Sequence, residues 1–139
     1  MKLLKTTFFA AFLIITGCVA HDTRILGADN QVELRSMQTR SFDTSDKVIV
    51  VRNVISTLQD LSFVIDKADT DLGTVSATRL VSGNRVRMTV TARPSSSSKS
   101  VIVRANAQYN LKPIENPKIY QDFFSSLSKS LFLSANAVE

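Results

Sequence analysis

The chain has 139 residues, with 17 lysines and arginines against 12 acidic residues, one histidine, one cysteine, four glycines and no tryptophan. Its formal charge of +5 is a mild excess that gives no reason to expect a nucleic-acid partner. One cysteine excludes a disulfide within the chain, so the fold must rest on an apolar core, which this length can build.

The chain opens with Lys2 and Lys5, continues through the apolar residues 8–15 and reaches small residues just before Cys18. That three-part layout is that of a secretory signal peptide. A bilayer-spanning helix needs about 20 apolar residues. The apolar stretch 6–20 falls short before His21 and Asp22 end it. A core helix would carry an amphipathic stripe, whereas this run is apolar all round. The four residues Ile15-Thr16-Gly17-Cys18 resemble the lipobox of bacterial lipoproteins. The resemblance implies that residues 1–17 are removed, that Cys18 is diacylated on sulfur, and that the new amino end is acylated. Several acyl chains hold a protein stably where one holds it marginally, at about 0.8 kcal/mol per buried methylene. The competing reading is a plain signal peptide with a chance cysteine. A lone thiol is unusual in an exported protein, and acylation of Cys18 accounts for it. Val19 stands where an aspartate would follow the cysteine, which by the lipoprotein sorting pattern implies the outer membrane, with the domain facing the periplasm.

Cleavage would take Lys2 and Lys5 and no acid, leaving 122 residues with 15 basic against 12 acidic side chains, a charge of +3. Residues 18–31 then read as the lipidated cysteine and a tether, and residues 32–139 as a single domain. Within it, alternation of Val32 and Leu34 with polar residues predicts a strand over about 32–42, ending at Phe42. Asp43, Thr44 or Ser45 is placed to cap a helix. Val48, Val51, Ile55 and Leu58, with Val54 beside them, give that helix one apolar face. A strand over 63–66, an acidic turn reaching Gly73, and a strand over 74–80 follow, and Ser82-Gly83-Asn84 marks a turn. Val86, Met88, Val90 and Ala92 then alternate with polar residues, as do Val101, Val103, Ala105, Ala107 and Tyr109 beyond a serine-rich loop. The two runs predict an antiparallel hairpin with one face buried and one wet. Prolines in "KPIENP" end the last strand and can open a helix carrying Tyr120, Phe123, Phe124, Leu127 and Leu131. The expected fold is therefore α+β, a single antiparallel sheet of about five strands with two helices on one face, in the order β-α-β-β-β-β-α.

Little in this chain supports catalysis. Ser–His and Cys–His chemistry and histidine metal sites need a histidine inside the fold. The only one, His21, stands three residues past the lipid-acceptor cysteine. No glycine-rich phosphate loop exists, and no cofactor or metal is expected. Asp66, Asp69 and Asp71 ahead of Gly73 suggest calcium, but counting from Asp69 puts Leu80 where an EF-hand needs its late glutamate. A solvated hairpin turn is the better reading. Arg85, Arg87 and Arg93 alternate onto the outward side of one strand, and Arg104 belongs to the outward set of the next. Together they are the candidate contact for acidic headgroups, a glycan or a partner protein, against the plain alternative of a solvated face.

The segments "LRSMQTRSFDT" and "TLQDLSFVIDKADTDLGTVSATR" resemble a recurring family of small bacterial outer-membrane lipoproteins, over residues 34–79. The element order is also similar to the helix-grip domains of the C subunit of the outer-membrane β-barrel assembly machinery, a likeness of fold alone. The first resemblance implies architecture and location and carries no active site. The function expected is a non-catalytic binding or assembly module of an envelope complex, held at the outer membrane through acylated Cys18, with envelope proteins as partners. The alternatives are an accessory lipoprotein of a secretion or efflux apparatus, and a carrier of a lipid or small apolar ligand in a helix-grip cavity.

Overall fold

The computed structural model describes residues 28–136, so Cys18, His21 and the rest of the leader and its junction lie outside the described residues. The strands alternate as their sequences dictate. In β4 (Asn84–Pro94) Val86, Met88, Val90 and Ala92 are buried, and in β5 (Val101–Tyr109) Val101, Val103, Ala105 and Ala107 are buried. The two pair antiparallel with Met88 opposite Ala107 and Val90 opposite Ala105, so both apolar sets share one face. β3 (Thr74–Val81) pairs on the other side of β4 and adds Val75 and Ala77 to that face, and β2 (Val64–Asp69) follows beyond it with a bulge between Ile65 and Lys67. β1 (Thr39–Phe42) pairs with β5, giving an antiparallel order β1-β5-β4-β3-β2, and the two-residue β6 (Lys112–Pro113) also pairs with β5.

Two helices seal the apolar face. α2 (Lys47–Asp60) buries Val50, Val51, Val54 and Leu58, and α3 (Pro117–Ala135) buries Tyr120, Phe123, Phe124 and Leu127. Phe123 and Phe124 meet edge to face with ring centroids 5.1 Å apart, an arrangement aromatic quadrupoles favour. Each large side chain taken from water here contributes roughly 1.5–3 kcal/mol. Asn53 makes the one polar tie between the buried helix faces worth noting: its Oδ1 accepts from the hydroxyls of Ser130 at 2.6 Å and Ser134 at 2.8 Å, and its Nδ2 donates to the Ile49 carbonyl at 2.9 Å.

The free edge of β5 is closed in pieces. β1 covers only residues 101–104 and β6 only 108–109. In the gap, the Ala105 amide donates to the Gln38 carbonyl at 2.8 Å and the Ala107 amide to the Tyr120 hydroxyl at 3.3 Å. That hydroxyl also accepts from Gln38 Nε2 at 3.2 Å and donates to the Ile114 carbonyl at 2.6 Å. A buried amide without a partner is expensive, and Tyr120 supplies the partner from the helix layer. Across the sheet, Gly73 closes the β2–β3 turn at φ +70° with its carbonyl accepting from the Ala92 amide at 2.7 Å. A Cβ there would run into the Ala92 carbonyl, so the turn demands glycine on two counts.

The class and the single sheet agree with the expectation, and three details differ. Residues expected as a strand over 32–42 are mostly helical: α1 spans Ala28–Met37, starting inside the stretch expected as tether, and only Thr39–Phe42 is extended. Glu33, Leu34, Arg35 and Met37 are good helix formers, and the Val32–Leu34 alternation carries no shared buried face, since Val32 is exposed and only Leu34 packs on the core. There are thus three helices and not two. The cap of α2 is Asp46, whose carboxylate accepts the Ile49 amide at 3.0 Å, while Thr44 Oγ1 accepts the Asp46 amide. The buried stripe of α2 is also rotated: Val50 and Thr57 replace the expected Val48 and Ile55, with Val48 exposed and Ile55 half-buried.

Candidate functional site

The face of the sheet turned away from α2 and α3 is polar. Registered pairs across β4 and β5 set Arg87 against Gln108, Thr89 against Asn106, Thr91 against Arg104 and Arg93 against Ile102. β3 continues the layer with Thr74, Ser76, Thr78 and Leu80, opposite Thr91, Thr89, Arg87 and Arg85. All four arginines singled out in the sequence therefore share this outer face, and all four are exposed.

They do not form one strip. Arg93 and Arg104 are diagonal neighbours at one end of the β4–β5 pair, within reach of each other's long side chains. Arg85 and Arg87 stand at the other end. Six residue steps along the strand separate Arg87 from Arg93, roughly 20 Å at the rise of an antiparallel strand. Thr89, Thr91 and Asn106 occupy the middle. Among the described residues the one ion pair is Lys118 with Asp122 on the surface of α3, so none of these guanidiniums is neutralised by an acid within them.

Arg104 and the Arg85–Arg87 pair border different grooves. Arg104 lines a groove of about 510 Å³ beneath α1, together with Thr89, Asn106 and Gln108 from the sheet. From α1 and the turn residue that follows it come Gln31, Leu34, Arg35 and Gln38, which recur at the three- and four-residue spacing of one helix face. The lining thus holds two guanidiniums and no carboxylate. Arg85 and Arg87 line a second groove of about 530 Å³ with Val64, Asp66, Thr78 and Leu80. Its carboxylate, Asp66, accepts the Thr78 hydroxyl at 2.6 Å.

Reading by alternation missed Arg35, because its segment was read as a strand, and missed Leu80 and Leu111, which border the second groove's end of the sheet. Leu111 did carry a signal: an apolar residue between Asn110 and Lys112 in a turn has no core to face. The acidic turn is internally engaged, with Asp69 Oδ1 accepting the Leu72 amide at 2.8 Å. Among the described residues no group of three histidine, cysteine or acidic side chains is placed to hold a metal ion.

The fold and this face together define a small α+β domain with one sealed side and one open, cationic side. No protein-family model matches the chain, and none of the curated proteins matches it.

Proposed function

We propose that the protein is a non-catalytic binding and assembly module, anchored through acylated Cys18 to the periplasmic face of a bacterial outer membrane, which presents its open sheet face to an envelope partner. The observation that carries this reading is the outer face itself: four exposed guanidiniums without an acidic neighbour in ion-pair range among the described residues, on a sheet whose other face is fully used by the core. Complementary charge steers association and sets its register. The lipobox-like Ile15-Thr16-Gly17-Cys18 supports that location. Residues 28–136 contain no histidine and no cysteine, which leaves the domain poor in groups for nucleophilic or general-base chemistry at neutral pH. An envelope protein with an acidic surface is the partner this face suits, and Arg104 and Arg35 of the α1 groove, with Arg93 diagonal to Arg104, are its first contact.

Two measurements test the reading. Crosslinking in intact cells captures a defined envelope protein, and Arg93→Glu with Arg104→Glu lowers its yield. Capture of the same partner at undiminished yield removes the outer face from the reading. Cys18→Ser abolishes acylation and releases the protein from the membrane fraction; continued anchoring in that variant removes the lipid attachment. The carrier alternative gains no support from the layer between helices and sheet, which Met88, Leu58, Phe123, Phe124 and Leu127 occupy.

A further inference from the structure

Two tight hairpins meet at one end of the sheet. Ser82 and Gly83 join β3 to β4, and Asn110 and Leu111 join β5 to β6, with positive φ at Ser82, Gly83 and Asn110. Asn110 stitches the two together. Its amide donates to the Arg85 carbonyl at 2.7 Å, its Oδ1 accepts the Arg85 amide at 3.1 Å, and its Nδ2 donates to Asn84 Oδ1 at 3.3 Å. The tip is therefore a built surface and not a pair of loose loops. It displays apolar side chains at a cost. Leu111 is 91% exposed and Leu80 72%, with Tyr109 and Val81 each 42% exposed beside them. Single exposed apolar residues are ordinary, but a cluster of them marks an interaction surface.

The hairpins and their flanking strand residues carry only positive charge, and Asp66 of the adjoining groove is engaged with the Thr78 hydroxyl. Residues 80–87 and 109–113 contain Arg85, Arg87 and Lys112 and no acid. The opposite end of the sheet offers the contrast: Ile49 and Leu72 are exposed there too, but among Asp43, Asp46, Asp69 and Asp71. That end also carries Lys47, Arg93 and Lys99, so its charge is mixed, and an anionic surface suits the first end better than the second. Apolar side chains with an amphipathic tyrosine, ringed by cations, match the boundary between acyl chains and acidic headgroups. From this placement we infer that the double-hairpin tip, led by Leu111 and Leu80 and flanked by Arg85 and Arg87, inserts into an anionic phospholipid surface. The contact goes beyond acyl anchoring and needs no modification of Cys18.

The chain has no tryptophan, so Leu111→Trp in the full chain is a lone reporter of the tip. With vesicles of phosphatidylglycerol and phosphatidylethanolamine, its emission shifts to the blue and is quenched by brominated acyl chains. The shift is small with phosphatidylcholine alone and recedes as salt is added. Arg85→Gln and Arg87→Gln in the same background each lower the inserted-to-free ratio about fivefold, the effect of one basic side chain near an anionic surface. Phe132→Trp, at the other end of the molecule, stays unshifted. An unshifted Trp at position 111, a shift equal in neutral vesicles and in the arginine variants, or a shift at position 132 in place of 111 overturns the inference. So does a photocrosslinker at position 111 that joins protein and never lipid in cells. Because the reporter sits on the tip, this result is independent of whether Cys18 carries acyl chains, which intact mass decides.

Discussion

Six arginines lie on the strands, and the two faces of the sheet use them differently. On the helix-covered face, Arg79 lays its guanidinium 4.8 Å from the centroid of the Phe63 ring and donates from Nη1 to the Leu61 carbonyl at 3.1 Å, while Arg40 sits 5.6 Å over Phe124. Both rim the core, spreading their planar charge on aromatic faces. On the outer face, Arg85, Arg87, Arg93 and Arg104 have neither a stacked ring nor an ion-pairing acid among the described residues. The same residue type thus closes one side and leaves the other open. Cations that stability does not require are the ones to examine for binding.

The sharpest way to break this contrast is to open the sealed side. Phe124→Ala removes a ring that is 1% exposed, is packed edge-on to Phe123 and seats Arg40. Large-to-small changes at aromatic core sites cost about 3–5 kcal/mol through lost transfer energy and an unfilled cavity. Urea denaturation measures it. A loss under about 1 kcal/mol would mean that the inner face is far less dependent on its aromatic packing than its burial implies.

The next effect tests the reach of the helix layer to the sheet edge. Tyr120→Phe keeps the ring and deletes one oxygen, leaving the Ala107 amide, Gln38 Nε2 and the Ile114 carbonyl each short of a partner. Buried groups left unsatisfied cost about 1–3 kcal/mol in total stability. Faster hydrogen exchange at the Ala107 amide, with the β3–β4 pairing unaffected, is the expected local signature. Uniform exchange across the sheet would show that the edge does not hang on this hydroxyl.

These elements differed in how visible they were beforehand. β4 and β5 alternate without interruption, and a strand with one sealed face writes that alternation into its sequence. The aromatic stripe of α3 is equally open to reading, since one face carries three of that helix's four rings. α1 was invisible for the converse reason: its groove-facing stripe, with the turn residue that follows it, is Gln31, Leu34, Arg35 and Gln38, only one of them apolar, so no hydrophobic period marks it as a helix. The outward direction of the four arginines followed from alternation alone. Their division into two pairs did not, because it depends on which residue of β5 faces which residue of β4, a register set by pairing across the chain. The tip is hidden for the same reason, as Leu80 and Leu111 are distant in sequence and share a neighbour only through Asn110 and Arg85.

The smallest expected effect is also the most discriminating, because it sets one arginine of each face against the other with the same substitution. Arg79→Gln removes a guanidinium from the Phe63 ring and breaks the bond to the Leu61 carbonyl at the end of α2. Part of that loss is offset, since Arg79 Nε is buried without a partner and leaves with it. The net cost is about 0.5–1.5 kcal/mol, or a few degrees in melting temperature for a domain near 100 residues, where each kcal/mol moves the midpoint by about 4–8 °C. Arg104→Gln, on the outer face opposite Thr91, stays within about 0.5 kcal/mol of the parent, as surface substitutions away from packing do. Partner capture responds in the opposite order, falling for Arg104→Gln and holding for Arg79→Gln. Equal stability losses in the two variants would mean that the outer guanidinium also serves the fold, and the open face would lose its standing as the binding side. Unequal losses with unequal capture assign structure to one face and recognition to the other, through two residues that differ only in what lies beneath them.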